Sequence, residues 1–313
     1  MTESVKAAIV GIAILMAAPL PLFAGDPAAC KTVKLAEVGW TDVTLTTNVA
    51  SELLKSIGYD PQITLLSLDI TLKSLENKDV DVFLGDWRPS VDAYSKPYLD
   101  RQAVERLVTN LGGAKFTLAV PKYVADGGVT NFADLAKFGD KFSKTIYGID
   151  PGNNESSLKM VAENKFGLGD WTVQETAEAA MLAQVQRAYG RKEWIVFQAW
   201  APHPMNTRFD LVYLAGGDDV FGKNFGEASV STMVRKGYAA ECPNLGRFLT
   251  QLQFDVAFEN RGMTLIADDG MDGTQAAAKM INENPELISK WLQGVKTIQG
   301  EDAVVTAKAK FRP

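Results

Sequence analysis

The chain has 313 residues, long enough for two domains, and carries 32 Lys+Arg against 38 Asp+Glu for a formal net charge of −6. Hydrophobic residues make up 46% and charged residues 22%, which excludes disorder as the main state. A pI near 5.1, with no basic cluster beyond Lys308, Lys310 and Arg312, excludes nucleic acid as a partner.

Only one histidine, His203, and two cysteines, Cys30 and Cys242, are present, too few for a zinc or iron–sulfur site. His203 lies between Pro202 and Pro204, and the chain has no nucleophile elbow, so a Ser-His-Asp hydrolase is not expected. No cofactor is expected.

At the N-terminus Lys6 precedes an uncharged run over 7–24 whose apolar centre is 7–18 and which is broken by Pro19 and Pro21. That centre is too short to cross a bilayer, and Ala24 offers a small residue for cleavage, so 1–24 reads as a signal peptide and the mature chain starts near Gly25. Export to the periplasm puts the cysteines in an oxidising compartment, and the pair is expected to form a Cys30–Cys242 disulfide. A lipid on Cys30 is the rival, but no Leu stands three residues before it and Asp26 interrupts the approach.

Beyond Cys30 the pattern alternates short β-rich runs with helical stretches, the mark of α/β layers around a mostly parallel sheet. A strand over 33–38 turns at Gly39-Trp40-Thr41-Asp42 into a helix over 43–57 stopped by Gly58. A helix over 71–77 and a strand over 80–84 lead to Gly85-Asp86-Trp87-Arg88-Pro89. Strands follow at 116–120 and 145–149, then the loop Asp150-Pro151-Gly152-Asn153-Asn154 and a helix from Ser156. A helix over 176–189 precedes a strand over 194–200 that ends in Trp200. Strands at 212–214 and 229–234 and helices at 244–252, 274–282 and 285–295 complete the chain.

Ligands of open α/β sheets bind outside the carboxyl ends of strands, where Trp40, Trp87 and Trp200 all stand. Each alone reads equally as core; three at one topological position point to an aromatic cluster. Such a cluster beside a carboxylate, Asp42, suits a poorly hydrated cationic head. Asp42 also fits a helix cap, and Asn153 and Asn154 fit a plain turn after Pro151-Gly152, so both readings stand. Asp86 reads as a loop-closing residue. Residues 217–224 nearly spell a phosphate loop, but Asn224 replaces the Ser/Thr and two aspartates would face the phosphates.

Gly39-Trp40-Thr41-Asp42, Gly85-Asp86-Trp87-Arg88-Pro89, the 114–121 run Ala-Lys-Phe-Thr-Leu-Ala-Val-Pro, and Gly148-Ile149-Asp150-Pro151-Gly152-Asn153-Asn154 together resemble the glycine betaine/choline substrate-binding proteins of ABC transporters, above all the choline-binding members. The resemblance covers nearly the whole mature chain. It implies an α/β, two-lobed type II periplasmic binding protein fold, each lobe a mixed sheet flanked by helices, with a two-crossover hinge. Lobe I would be 25–114 plus 212–313 and lobe II 115–211, an arrangement that the Cys30–Cys242 pairing also favours. The family's aromatic box transfers to Trp40, Trp87, Phe116 and Trp200, with Asp42 as acidic partner and Asn153 reaching a hydroxyl. Phe116 departs from the family pattern, which has Tyr there; the ring face stays and a phenol is lost.

The resemblance further implies a monomeric binder, not an enzyme, whose closed form is read by an ABC permease. Choline carries a net positive charge and glycine betaine is a zwitterion, and the box loops hold no Lys or Arg except Arg88. Choline is therefore the expected ligand, with glycine betaine or another quaternary ammonium as the alternative.

Overall fold

The computed structural model describes residues 25–311, so the expected signal peptide lies outside the described residues. Its strands are β1 (Thr32–Glu37), β2 (Asp60–Leu65), β3 (Val82–Arg88), β4 (Val104–Pro121), β5 (Thr145–Tyr147), β6 (Thr172–Gln174), β7 (Val196–Ala201), β8 (Leu211–Tyr213) and β9 (Glu227–Arg235). They form one mixed sheet in the order β2-β1-β3-β9-β4-β7-β5-β6, with β8 beside β4.

Two parallel trios make up its ends, β1 between β2 and β3, and β5 between β6 and β7. The antiparallel strands β4 and β9 join them. Their register sets Ala114 opposite Ala228 and Lys115 opposite Glu227, so the chain passes from one trio to the other and back at adjacent points. The β8 ladder pairs Val212 with Val120. An expected boundary at 211/212 falls inside that ladder, and the residues after it, Leu214 and Phe221, pack with Leu118 and Phe132.

Strand alternation explains how one sheet serves two cores. Leu118, Ile146 and Val196 face a smaller cluster with Phe132, Trp171 and Phe221, while their neighbours Ala119, Tyr147 and Phe197 face the larger one. The larger cluster runs from Val33, Leu35 and Phe83 through Leu249, Met263, Ile281 and Trp291. Here the Thr41–Ser56 helix packs against the Val256–Ala267 and Gly273–Glu283 helices. Gly262 permits that approach, because a Cβ there would lie 2.3 Å from Leu45 Cδ2.

Cys30 and Cys242 are joined as expected, with Cα atoms 5.9 Å apart across a sequence separation of 212. No helix among the described residues is long and apolar enough to cross a membrane. Among those residues there is also no group of three or more His, Cys, Asp or Glu placed to hold a metal.

Candidate functional site

Gly39, at φ +81°, turns the chain out of β1 so that Trp40 stands at the N-cap of the Thr41–Ser56 helix and Asp42 in its first turn. Trp87 lies near the carboxyl end of β3, and Trp200 near that of β7. Phe116 of β4 is the direct antiparallel neighbour of Trp200, with ring centroids 6.3 Å apart, and Trp87 lies 6.2 Å from Phe116 on its other side. Three rings from three strands thus form one row, at separations typical of tilted aromatic pairs.

The row, Trp40, Asp42 and Asn153 meet around one small cavity, whose wall is completed by Ile149 and Glu178. All six residues expected from sequence therefore come together. Arg88 does not reach the cavity; it is exposed and lies 3.6 Å from Asp92. No basic side chain lines the wall.

Asp42 is not the N-cap, because that position belongs to Trp40, whose own side chain makes no capping bond. Its Oδ2 accepts a hydrogen bond from Trp87 Nε1 at 2.7 Å, and its Oδ1 is buried without a protein partner. Burial, then the charge of Glu178, pushes the Asp42 carboxyl up to about 7, against the opposing effect of the Trp87 bond. Asn153 likewise has a buried amide nitrogen, Nδ2, with no partner. An unmet acceptor and an unmet donor on the lining of one cavity are what a small polar ligand needs, since buried polar atoms are otherwise paired.

Asn154 takes the turn reading. Its side chain accepts from Ile149 N–H at 2.9 Å and donates to Ile149 O at 2.7 Å and Glu175 Oε1 at 2.9 Å, which braces the loop and leaves Asn153 on the wall. Asp86 also points away, toward Arg106, whose Nε lies 2.5 Å from its Oδ2.

Glu178, Ile149 and His203 are absent from the sequence-based set. Glu178 lies in the first turn of the Glu178–Arg191 helix as Asp42 lies in the first turn of its own, and that parallel was the available signal. Its Oε2 accepts from Thr41 N–H at 3.3 Å, and Oε1 accepts from the Thr41 hydroxyl. His203 stacks edge-on against Trp200, with centroids 4.8 Å apart, and its Nδ1 accepts from Met205 N–H at 2.9 Å. A backbone N–H can only donate, so the ring proton sits on Nε2, which points at Glu178 Oε1 3.2 Å away.

Comparison with known proteins places the fold in a family. A solved ABC-transporter choline-binding protein in complex with choline is 45% identical, with a TM-score of 0.89, covering 91% of this chain and 100% of that one. A lactococcal protein solved in its closed-liganded conformation with glycine betaine is 27% identical, with a TM-score of 0.75, covering 83% and 99%. A glycine betaine/carnitine transport binding protein of Listeria monocytogenes is 33% identical over 170 residues, 54% of this chain and 55% of that protein. These likenesses show the α/β periplasmic-binding-protein fold that the sequence led to. The model of the substrate binding domain of the ABC-type glycine betaine transport system matches residues 31–283, and the chain belongs to that family.

Proposed function

We propose that the chain is an exported, monomeric substrate-binding protein that captures choline between two lobes and presents it to an ABC permease, without chemical turnover. The observation that carries this reading is the cavity itself, in which Trp40, Trp87, Phe116 and Trp200 surround a space with carboxylates and no basic group. A quaternary ammonium has no N–H to donate, so recognition falls to ring quadrupoles and shape. Each desolvated cation–π contact contributes about 0.5–2 kcal/mol, so four rings and a carboxylate account for much of the roughly −8 kcal/mol of a micromolar complex. Asp42 Oδ1 supplies charge, and Asn153 Nδ2 donates to the ligand hydroxyl.

The lobes are proposed as 25–114 plus a C-terminal part and a middle part beginning at 115. The pairing of β8 with β4 and the packing of Phe221 with Phe132 support a return crossing at about 226 rather than 211. Trp40, Asp42 and Trp87 then belong to one lobe and Phe116, Asn153 and Trp200 to the other, so ligand favours closure. An N-terminal signal peptide over 1–24 and a periplasmic location complete the proposal.

The test is titration calorimetry of ligand-stripped protein with choline and glycine betaine at one ionic strength. Tight choline binding with weak betaine binding is expected. A betaine preference would replace choline as the cargo, and silence toward both would overturn the quaternary-ammonium reading.

A further inference from the structure

Glu178 stands on the cavity wall yet is held more firmly than any ligand contact alone would require. It is 4% exposed, its two oxygens take the Thr41 backbone N–H and hydroxyl, and His203 Nε2 approaches Oε1. Thr41 is the first residue of the Thr41–Ser56 helix, so this carboxylate, arriving from the helix on the far side of the cavity, caps the helix that carries Asp42. Asp150 Oδ2 in turn accepts from Glu178 N–H at 3.3 Å and fixes the start of the second helix.

We propose that Glu178, positioned by His203, is a selectivity residue whose fixed charge favours a net-cationic ligand over a zwitterionic one, and that it takes up this position only when the two sides of the cavity meet. The inference rests on the quaternary-ammonium reading above. Two buried carboxylates face one cavity that no basic residue lines, so a cation is attracted by both. A ligand with its own carboxylate is repelled by both, which is selection by an unfavourable element as much as by a favourable one. His203 cannot reorient without giving up its bond from Met205 N–H or its contact with Trp200, so the carboxylate it faces stays aimed.

The experiment compares three ligands on wild type and Glu178→Gln: choline, glycine betaine, and the neutral carbon analogue of choline in which a tert-butyl group replaces the trimethylammonium. Gln keeps the shape and an oxygen for Thr41 but removes the charge. Choline is expected to weaken about tenfold or more, the neutral analogue to stay within about twofold, and betaine to weaken less than choline or to gain. Equal losses for all three ligands would make Glu178 a strut only and overturn the proposal, as would unchanged choline binding.

Three further variants keep the test decisive if Glu178→Gln folds poorly. Glu178→Asp retains the charge and is expected to keep the choline preference even where affinity falls. His203→Phe retains a ring against Trp200 but removes the donor, and is expected to narrow the choline-to-betaine ratio, with His203→Gln restoring part of it. A wild-type protein that binds neither choline nor betaine would overturn the functional reading and this inference together, whereas normal wild-type selectivity carried unchanged into every variant would overturn this inference alone.

Discussion

Trp87 and Asp42, 45 positions apart, are joined by a hydrogen bond from indole Nε1 to carboxylate Oδ2 at 2.7 Å. The bond ties one wall of the aromatic row to the acidic group beside it and leaves Asp42 Oδ1 as the unpaired oxygen. Asp42→Asn keeps an acceptor for the indole and removes the charge. Choline affinity is expected to drop about tenfold to a hundredfold, roughly 1.4–3 kcal/mol, with glycine betaine changed much less. Calorimetry on both ligands checks this, and equal losses would leave Asp42 a purely structural role.

The raised Asp42 carboxyl, at about 7, makes binding depend on pH. A cation needs the ionised form, so choline affinity is expected to climb by up to about tenfold per pH unit below 7 and to level off above it. Binding near pH 6 should release a proton, visible as a buffer-dependent heat, and Asp42→Asn should flatten the profile.

The free protein responds in the opposite sense. A carboxyl whose folded value lies above its ordinary 3.8 contributes stability that is fully present below about 4 and is lost as pH rises through about 7. Glu259, fully buried and pushed well up by burial and by Asp42, acts in the same direction. The melting temperature without ligand is expected to fall between pH 5 and 8, and the upward shift given by choline to be larger at pH 8. A ligand-free melting temperature that rises over this range would contradict the assignment.

The aromatic cluster was legible because tryptophans are rare, large and marked by the strand ends that carry them; Trp40, Trp87 and Trp200 stood out together, at one topological position, and not singly. Phe116 came from the family resemblance, since a Phe in a strand has a commonplace structural role; Asn153 stood on a strand-end loop with turn and ligand readings both open, and the resemblance supplied its role. Glu178 was hidden because its neighbours come from distant segments: Thr41 and His203 reach it only after the sheet is assembled. Short or polar elements escaped for a similar reason. β2 has little burial of its own and is held by its ladder to β1, and β6, three residues long, exists through its pairing with β5. The first half of β4, with its Asn110-Leu111-Gly112-Gly113 segment, lacks alternation and is a strand because β9 lies beside it.

The Cys30–Cys242 bridge lies in the larger core and away from the cavity wall. Replacing both cysteines by Ser is expected to cost about 2–5 kcal/mol of stability, because the bridge constrains a long loop in the unfolded chain. Choline-to-betaine selectivity should be unchanged. A thermal melt under oxidising and reducing conditions, with wild type as reference, separates the loss of the bridge from the loss of two buried side chains.

Gly226 connects backbone conformation to the aromatic row. It sits at φ +68° at the end of a left-handed run with Asn224 and Phe225, and a Cβ there would lie 2.1 Å from the carbonyl oxygen of Phe116. Gly226→Ala therefore combines a left-handed penalty of about 1–2 kcal/mol with a clash that only a shift of β4 or β9 relieves. Because Phe116 faces Trp200 across the ladder, that shift moves two members of the row at once. The variant is expected to lose about 2–4 kcal/mol of stability and to weaken choline and the neutral analogue alike, since it disturbs ring spacing and leaves charge in place. Gly112→Ala is the control: a Cβ there meets nothing within 4 Å, so stability should stay within about 0.5 kcal/mol of wild type. If Gly226→Ala melts and binds like Gly112→Ala, the backbone accommodates the Cβ without disturbing the row, and the link from Gly226 to ring spacing is refuted.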